Sequence, residues 1–194
     1  DPCMQEGIFH ILDRLRETGE LDNTLFVFLS DNGASREGEV TGTTSYYVHL
    51  LQGDDIEADR ARLDLIGGPQ TTPHYPRGWA QAGCTPWRLY KINTHAGGHS
   101  VPFVVSWPRG QREGRMGGGS GDAYRDQYTH VTDLLPTLAD LLDIEVPTEW
   151  DGHAIDPLVG TSFLPTLTDP SVASAHREQV YENNGHRGLY RDGW

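Results

Sequence analysis

Apolar positions recur at helical spacing near the start of the chain. Ile8, Ile11, Leu12 and Leu15 share one face of a helix predicted over residues 4–18. Arg14 and Arg16 suit its carboxyl end, and Gly19 is a natural stop. After the Leu21-Asp22-Asn23 turn the pattern changes. Leu25 to Leu29 run as five consecutive apolar residues without polar alternation. Such a run predicts a strand over 24–30 covered on both faces, as in a parallel sheet. A second run, Val101 to Trp107, is stopped by Pro108. Val131 to Leu142 returns to helical spacing, with Leu134, Leu135, Leu138, Leu141 and Leu142 as the stripe, Thr132 as cap and Pro136 in the first turn. Residues 180–194 read as strand, glycine turn and strand. Helix, short turn and buried strand make half of a doubly wound unit. The expectation is an α/β fold: a largely parallel sheet flanked by helices, plus the start of a small antiparallel sheet at the carboxyl end.

Between these elements the chain is polar and punctuated by glycine and proline. Residues 34–83 form a long connection with one predicted short helix at 54–66. Irregular connections of that length inside a compact domain are usually functional. Residues 109–127 read as a glycine-rich loop or weak hairpin, and 145–178 as mixed loop and short helix.

Composition narrows the function more than the fold. The 194 residues carry a formal net charge of −13. Nucleic acid is thereby disfavoured as a partner, because its backbone demands clustered Lys and Arg. An anionic substrate is repelled at long range, so its site must supply local positive charge. No apolar run approaches the roughly 20 residues of a membrane-spanning helix. Cys3 and Cys84 make no disulfide framework. Cytoplasmic, periplasmic and secreted locations all stay open, as does the oligomeric state.

Candidate chemistry begins where the first strand stops. Asp31, Asn32 and Gly33 fall beyond its carboxyl end, where open α/β sheets bind ligands. A carboxylate beside an amide carbonyl offers hard oxygens suited to Ca²⁺ or Mg²⁺. Gly33 permits a sharp turn afterwards. Taken alone, the tripeptide reads first as a plain turn. His95 and His99 stand four apart, but the glycines between them argue against a helix, and no third zinc ligand is evident.

Five blocks in order resemble the sulfatases, within the alkaline-phosphatase-like superfamily. They are Leu25 to Gly33; Gly78-Trp79-Ala80 through Thr85-Pro86-Trp87-Arg88-Leu89-Tyr90-Lys91; Gly97-Gly98 through Val101-Pro102-Phe103 to Trp107-Pro108; His130 to Leu138; and Gly152 through Leu158 to Leu164. The likeness is greatest to bacterial arylsulfatase-type members. It implies that residues 1–175 are the carboxyl-side part of a catalytic domain and that 176–194 begin the family's small carboxyl-terminal subdomain. It also implies a longer protein. The family's Cys-x-Pro-Ser-Arg motif, whose cysteine becomes the formylglycine nucleophile, is expected upstream, so the isolated chain is expected to lack turnover. Cys84-Thr85-Pro86-Trp87-Arg88 mimics that motif, but Trp87 stands where the family has Ser, and the segment continues into a different family block.

Residue by residue, the resemblance makes Asp31 and Asn32 a pair of metal ligands for Ca²⁺, or alternatively Mg²⁺. It makes Lys91 a sulfate-contacting lysine with a catalytic role. Arg88, able to position an anion or brace the loop, and His95, beside the Gly-Gly pair, complete the candidate substrate-binding set. His74 and the aromatic residues Tyr75, Trp79 and Trp87 are candidates to face the organic part of a substrate. One departure is Ala96, where many members carry Glu. The implied partner is a small-molecule sulfate ester, aryl in the first instance. Two rivals remain: a phosphate or phosphonate ester hydrolase of the same superfamily, and a non-catalytic binding domain ordered by a metal.

Overall fold

The amino-terminal stripe does form a helix. In the computed structural model, which describes residues 2–117 and 124–194, α1 runs from Pro2 to Glu17. Ile8, Leu12 and Leu15 are half-buried on one face, while Ile11 is exposed. The carboxyl end closes at Gly19, whose φ of 75° is the left-handed geometry of a helix terminator. Among the described residues no helix is long and apolar enough to cross a membrane.

Contacts divide the chain into two units. The first comprises the chain up to Leu21, Leu25–Ser106 and Tyr181–Gly188. Its sheet pairs β1 (Phe26–Leu29) with a strand at Phe103–Ser106, antiparallel, with Phe26 opposite Ser106 and Leu29 opposite Phe103. The named strands of the described residues pair antiparallel, and the expected largely parallel sheet is not seen among them. An unbroken apolar run is the usual mark of a strand covered on both faces, most often in a parallel sheet, but it does not by itself dictate the direction of the partner. Nor is the pair fully covered: β1 is half-buried throughout and Val104 is 52% exposed.

The long connection is better ordered than its composition implies. It carries α2 (Tyr46–Gln52), α3 (Ile56–Arg60) and α4 (Arg77–Gly83), of which α2 and α4 stand where the sequence reads as loop. The helix predicted at 54–66 is two pieces, since a 3₁₀ turn at Leu63–Leu65 follows α3. Asp59 ties the region together: its carboxylate accepts from the Thr44 amide and hydroxyl, both at 2.6 Å, and faces the Thr43 hydroxyl. Burial pushes this carboxyl upward, and the threonine hydrogen bonds outweigh it and hold it low. A short α5 (Ala96–His99) precedes β2, the Phe103–Ser106 strand.

The second unit comprises Asp22–Thr24, Trp107–Val180 and Leu189–Trp194. It opens with α6 (Pro108–Arg112), where Gly110 lies so close to the Trp107 ring that a Cβ would sit 2.0 Å from it. The rest of the hairpin or loop expected over 109–127 falls partly outside the described residues. The leucine helix is preceded by a 3₁₀ turn, Val131–Asp133, so α7 proper is Leu134–Leu142 with Pro136 in its first turn. The cap is His130, not Thr132: its ring accepts from the Thr132 amide while the Asp133 carboxylate accepts from the His130 amide at 2.7 Å. Helix α7 is followed by a small hairpin, β3 (Glu149–Trp150) with β4 (His153–Ala154), and by α8 (Leu164–Thr168). The final strand–turn–strand forms as predicted, β5 (Glu178–Asn183) with β6 (His186–Arg191). Asn184 and Gly185 make its two-residue turn, both at positive φ, as a tight hairpin requires.

Candidate functional site

Four segments of the first unit converge just past β1. The Ser30 hydroxyl donates to the Asn32 carbonyl at 2.9 Å and shapes the exit from the strand. The Gly33 amide then donates to the Gly98 carbonyl at 2.9 Å. A Cβ on Gly33 would lie 1.7 Å from the Gly97 carbonyl oxygen, so this glycine is required by close backbone approach. The expected sharp turn is not its reason, for its φ is not in the left-handed region. Gly97 and Gly98 meet the same constraint against the Leu89 and Asn93 carbonyls, at 1.9 and 2.0 Å from their would-be Cβ atoms. By propensity those two glycines argue against a helix. They instead form the single turn α5, because packing this tight selects for absent side chains rather than for helix propensity.

Cys84 lies beneath this junction. It is buried, its thiol donates to the Gly97 carbonyl at 3.1 Å, and its sulfur accepts from the Ala34 amide at 3.3 Å. Both contacts are structural clips between the Gly33-Ala34 turn and α5.

The same turn is clipped to Lys91. The Lys91 amide donates to the Ala34 carbonyl at 3.0 Å, and the Lys91 ammonium meets the Glu37 carboxylate at 3.2 Å. Lys91 is the only lysine in the sequence. The backbone on either side of it is strained: Leu89 and Ile92 hold φ of 62° and 82°, a region that bulky and β-branched residues avoid. Such strain persists where surroundings over-determine the conformation, often at functional sites. Here the Gln81 carboxamide accepts from the Leu89 amide, and the Asn93 carboxamide donates to the Tyr90 and Lys91 carbonyls.

A cavity of about 250 Å³ opens at this point, lined by Asn32, Lys91, Asn93, His99, Tyr181 and Glu182 among others. The tip of β5 forms one wall. Tyr181 stacks on His99 with ring centroids 4.1 Å apart, and the Asn183 carboxamide donates to the Ile92 carbonyl. The fold thus brings Asn32 and Lys91 to one cavity, with Asp31 exposed beside Asn32. Arg88 and His95 are exposed and do not line it; their carbonyls serve α5, accepting from Gly97 and Gly98. Glu37, Asn93, Tyr181 and Glu182 were missed by sequence reasoning. Only Glu37 carried a signal, an acid shortly after Asp31 in a chain with one lysine to neutralise. A larger open hollow of about 570 Å³ lies in the second unit, edged by Asp140, Asp143 and Glu145. With three carboxylates and no cation among its described lining residues, it is unsuited to an anion.

The donor set at β1 suits a hard cation. Among the described residues, neither the Asp31 carboxylate nor the Asn32 carboxamide takes part in a hydrogen bond or ion pair with protein groups. Their oxygens are therefore unspent. Two ligands are short of the roughly six to eight oxygens Ca²⁺ takes, and the described residues hold no cluster of three or more His, Cys, Asp or Glu able to complete such a shell.

Comparison with known proteins decides the family. The sequence profile of the family described as Sulfatase matches residues 3–144. The chain belongs to the sulfatase family. An uncharacterised sulfatase of Schizosaccharomyces pombe is 31% identical over 147 residues, covering 76% of this chain and 24% of that protein. An arylsulfatase of Klebsiella aerogenes is 26% identical over 161 residues, covering 82% of this chain and 32% of the enzyme. The crystal structure of the PsFucS1 sulfatase from Pseudoalteromonas sp. superposes with a TM-score of 0.50 at 20% identity, over 94% of this chain and 26% of that one. That likeness supports the sulfatase α/β fold alone. The chain thus spans roughly a fifth to a third of the length of the curated sulfatases it matches.

Proposed function

We propose that this chain is the carboxyl-side portion of a sulfatase that hydrolyses organic, in the first instance aryl, sulfate esters to alcohol and sulfate. The carrying observation is the convergence of Asn32 and the sole lysine, Lys91, on one cavity in a strongly acidic chain. Its ammonium, which also meets the Glu37 carboxylate, is the positive charge this cavity offers an anionic ester. The partly open antiparallel pair β1–β2 is also accounted for if further strands of a largely parallel sheet come from other parts of a longer protein.

In this reading Asp31 and Asn32 hold Ca²⁺, or alternatively Mg²⁺, together with ligands from the rest of the protein. When bound, the ion supplies polarisation of a sulfate oxygen. The nucleophile is a formylglycine in a preceding segment. What this chain contributes is binding and charge. Lys91 has three N–H donors and one described partner, Glu37, which leaves donors for sulfate oxygens. Aimed at the sulfur's non-bridging oxygens or at the departing alcohol oxygen, they act on charge that grows in the transition state. Tyr181 and His99 give the cavity an aromatic wall on which an aryl group can pack.

The test uses the full-length protein carrying this chain, with a chromogenic aryl sulfate and the corresponding phosphate ester. Lys91→Ala should lower kcat/KM for the sulfate by roughly 10²–10³-fold with little change in Tm, the loss typical of one transition-state donor. After chelation, added Ca²⁺ or Mg²⁺ should raise Tm, and Asp31→Ala should abolish that rise. Preference for the phosphate ester, or full activity in Lys91→Ala, would refute the reading. The isolated chain should show no turnover.

A further inference from the structure

We infer that Glu37 is the positioning residue of the site, the carboxylate that aims the Lys91 ammonium. The inference rests on the reading of Lys91 as the sulfate-contacting group, and it concerns a residue that touches no substrate itself.

The geometry supporting it is threefold. First, the two carboxylate oxygens of Glu37 have separate tasks. Oε1 meets Lys91 Nζ at 3.2 Å, while Oε2 accepts from the Ser35 hydroxyl at 2.8 Å and faces His74 Nδ1 at 3.6 Å. With Oε2 committed, the carboxylate plane is fixed and Oε1 presents one direction to the lysine. The Ser35 hydrogen bond is the main reason this carboxyl sits below its ordinary range, with burial opposing and Lys91 adding to it.

Second, the backbone bearing Glu37 is immobilised. The next residue, Gly38, is buried so closely against the His74-Tyr75 segment that a Cβ would lie 2.4 Å from the His74 carbonyl oxygen. His74 is in turn locked by reciprocal amide–carbonyl bonds with Thr43, at 2.8 and 3.0 Å. Third, Lys91 is gripped twice by one short turn, its amide by Ala34 and its ammonium by Glu37. That turn begins at Asp31 and Asn32, so it fixes the distance between the candidate metal ligands and the ammonium. A lysine side chain has four rotatable bonds and loses much entropy when held. A pre-set carboxylate removes that cost before substrate arrives.

An ordinary surface ion pair would predict little of this. Side chains of Lys91 and Glu37 are only 34% and 28% exposed; the Glu37 carboxylate is held further by Ser35, and the Lys91 backbone by Ala34. Through His74 the pair also reaches the later part of the long connection, which gives that segment a task beyond packing.

The test is a double-mutant cycle in the full-length protein, with a chromogenic aryl sulfate as probe. Glu37→Ala should lower kcat/KM by roughly tenfold, mostly through kcat, as loss of a charge-assisted hydrogen bond that orients a transition-state donor should. Glu37→Gln retains an acceptor for Lys91 and should keep activity within about threefold of the parent. In a Lys91→Ala background, Glu37→Ala should have almost no further effect, because a residue acting through another is non-additive with it. An equal loss in both backgrounds, a loss tracking a fall in Tm, or no loss at all would overturn the inference. Should Lys91→Ala itself leave kcat/KM intact, the parent reading of the lysine fails, an outcome distinct from a silent Glu37→Ala beside a damaging Lys91→Ala.

Discussion

Asp31 and Asp133 are both carboxylates placed at the ends of regular elements, one in each unit, and their surroundings are opposite. Asp133 has no exposed surface, and every direction around it is filled. It accepts from the His130 amide at 2.7 Å, the Thr161 amide at 2.8 Å and His176 Nδ1 at 2.7 and 2.9 Å. His176 Nε2 meets the Glu178 carbonyl at 3.0 Å, so acceptors face both nitrogens of its ring. Asp31 is exposed and takes no such partner among the described residues. A carboxylate whose lone pairs are all used by protein is a structural strut. One with unspent oxygens beside a lysine-bearing cavity has capacity for a ligand. Burial alone would have ranked these two the other way round as functional candidates.

Removing Asp133 should give the largest effect. Asp133→Ala leaves the buried His176 ring without its Nδ1 partner and strips two amides of their acceptor, so the full-length protein should lose about 3 kcal/mol or more, at roughly 1–3 kcal/mol for each buried group left unsatisfied. Chemical denaturation measures it. Asp31→Ala, by contrast, should leave stability of the metal-free protein within about 0.5 kcal/mol, as surface substitutions usually do. Equal losses from the two would erase the contrast.

Gly33→Ala should fall between them. The added Cβ collides with backbone, the Gly97 carbonyl, and backbone cannot rotate away as a flexible side chain does. A cost of about 1–3 kcal/mol is typical of such overpacking. Because Gly33 connects the Asp31-Asn32 pair to α5, the variant should also weaken any Ca²⁺-induced rise in Tm. A stable Gly33→Ala protein with unchanged metal response would show that the close approach is not needed to place the ligands.

The legible parts of the chain were those whose signal is periodic or local. The Ile8–Leu15 stripe, the leucines of α7 and the Asn184-Gly185 turn each report their own geometry. Direction of strand pairing was not legible in Leu25–Leu29, since apolar continuity records shielding and does not by itself dictate the partner's orientation. Helix α5 was hidden because its glycines answer to the Leu89 and Asn93 carbonyls, contacts distant from any propensity scale. His130 was hidden as a cap because histidine rarely fills that place, and its ring does so here only by accepting from Thr132. Of the site, Asp31, Asn32 and Lys91 were read from motif blocks, whereas Glu37, Tyr181 and Glu182 meet them only through folding.

The smallest expected effect concerns pH and separates His130 from the strut it caps. Burial lowers the His130 pKa below its ordinary 6.5, Asp133 opposing and the neighbouring His176 adding to the drop. The neutral ring is the one that accepts from Thr132. The unfolded chain therefore binds a proton more readily than the folded one. The contribution to stability is whole above pH 6.5, declines as pH falls through the folded value, and is flat below it. His130→Asn keeps a side-chain acceptor at the cap and removes the titration. Its Tm should fall less than the parent's between neutral and mildly acidic pH, whereas Asp133 and His176, present in both proteins, cancel from the comparison. Parallel Tm–pH curves for the two proteins would mean that the His130 ring changes protonation at the same cost folded or unfolded, and that the cap is held by the Asp133 carboxylate alone.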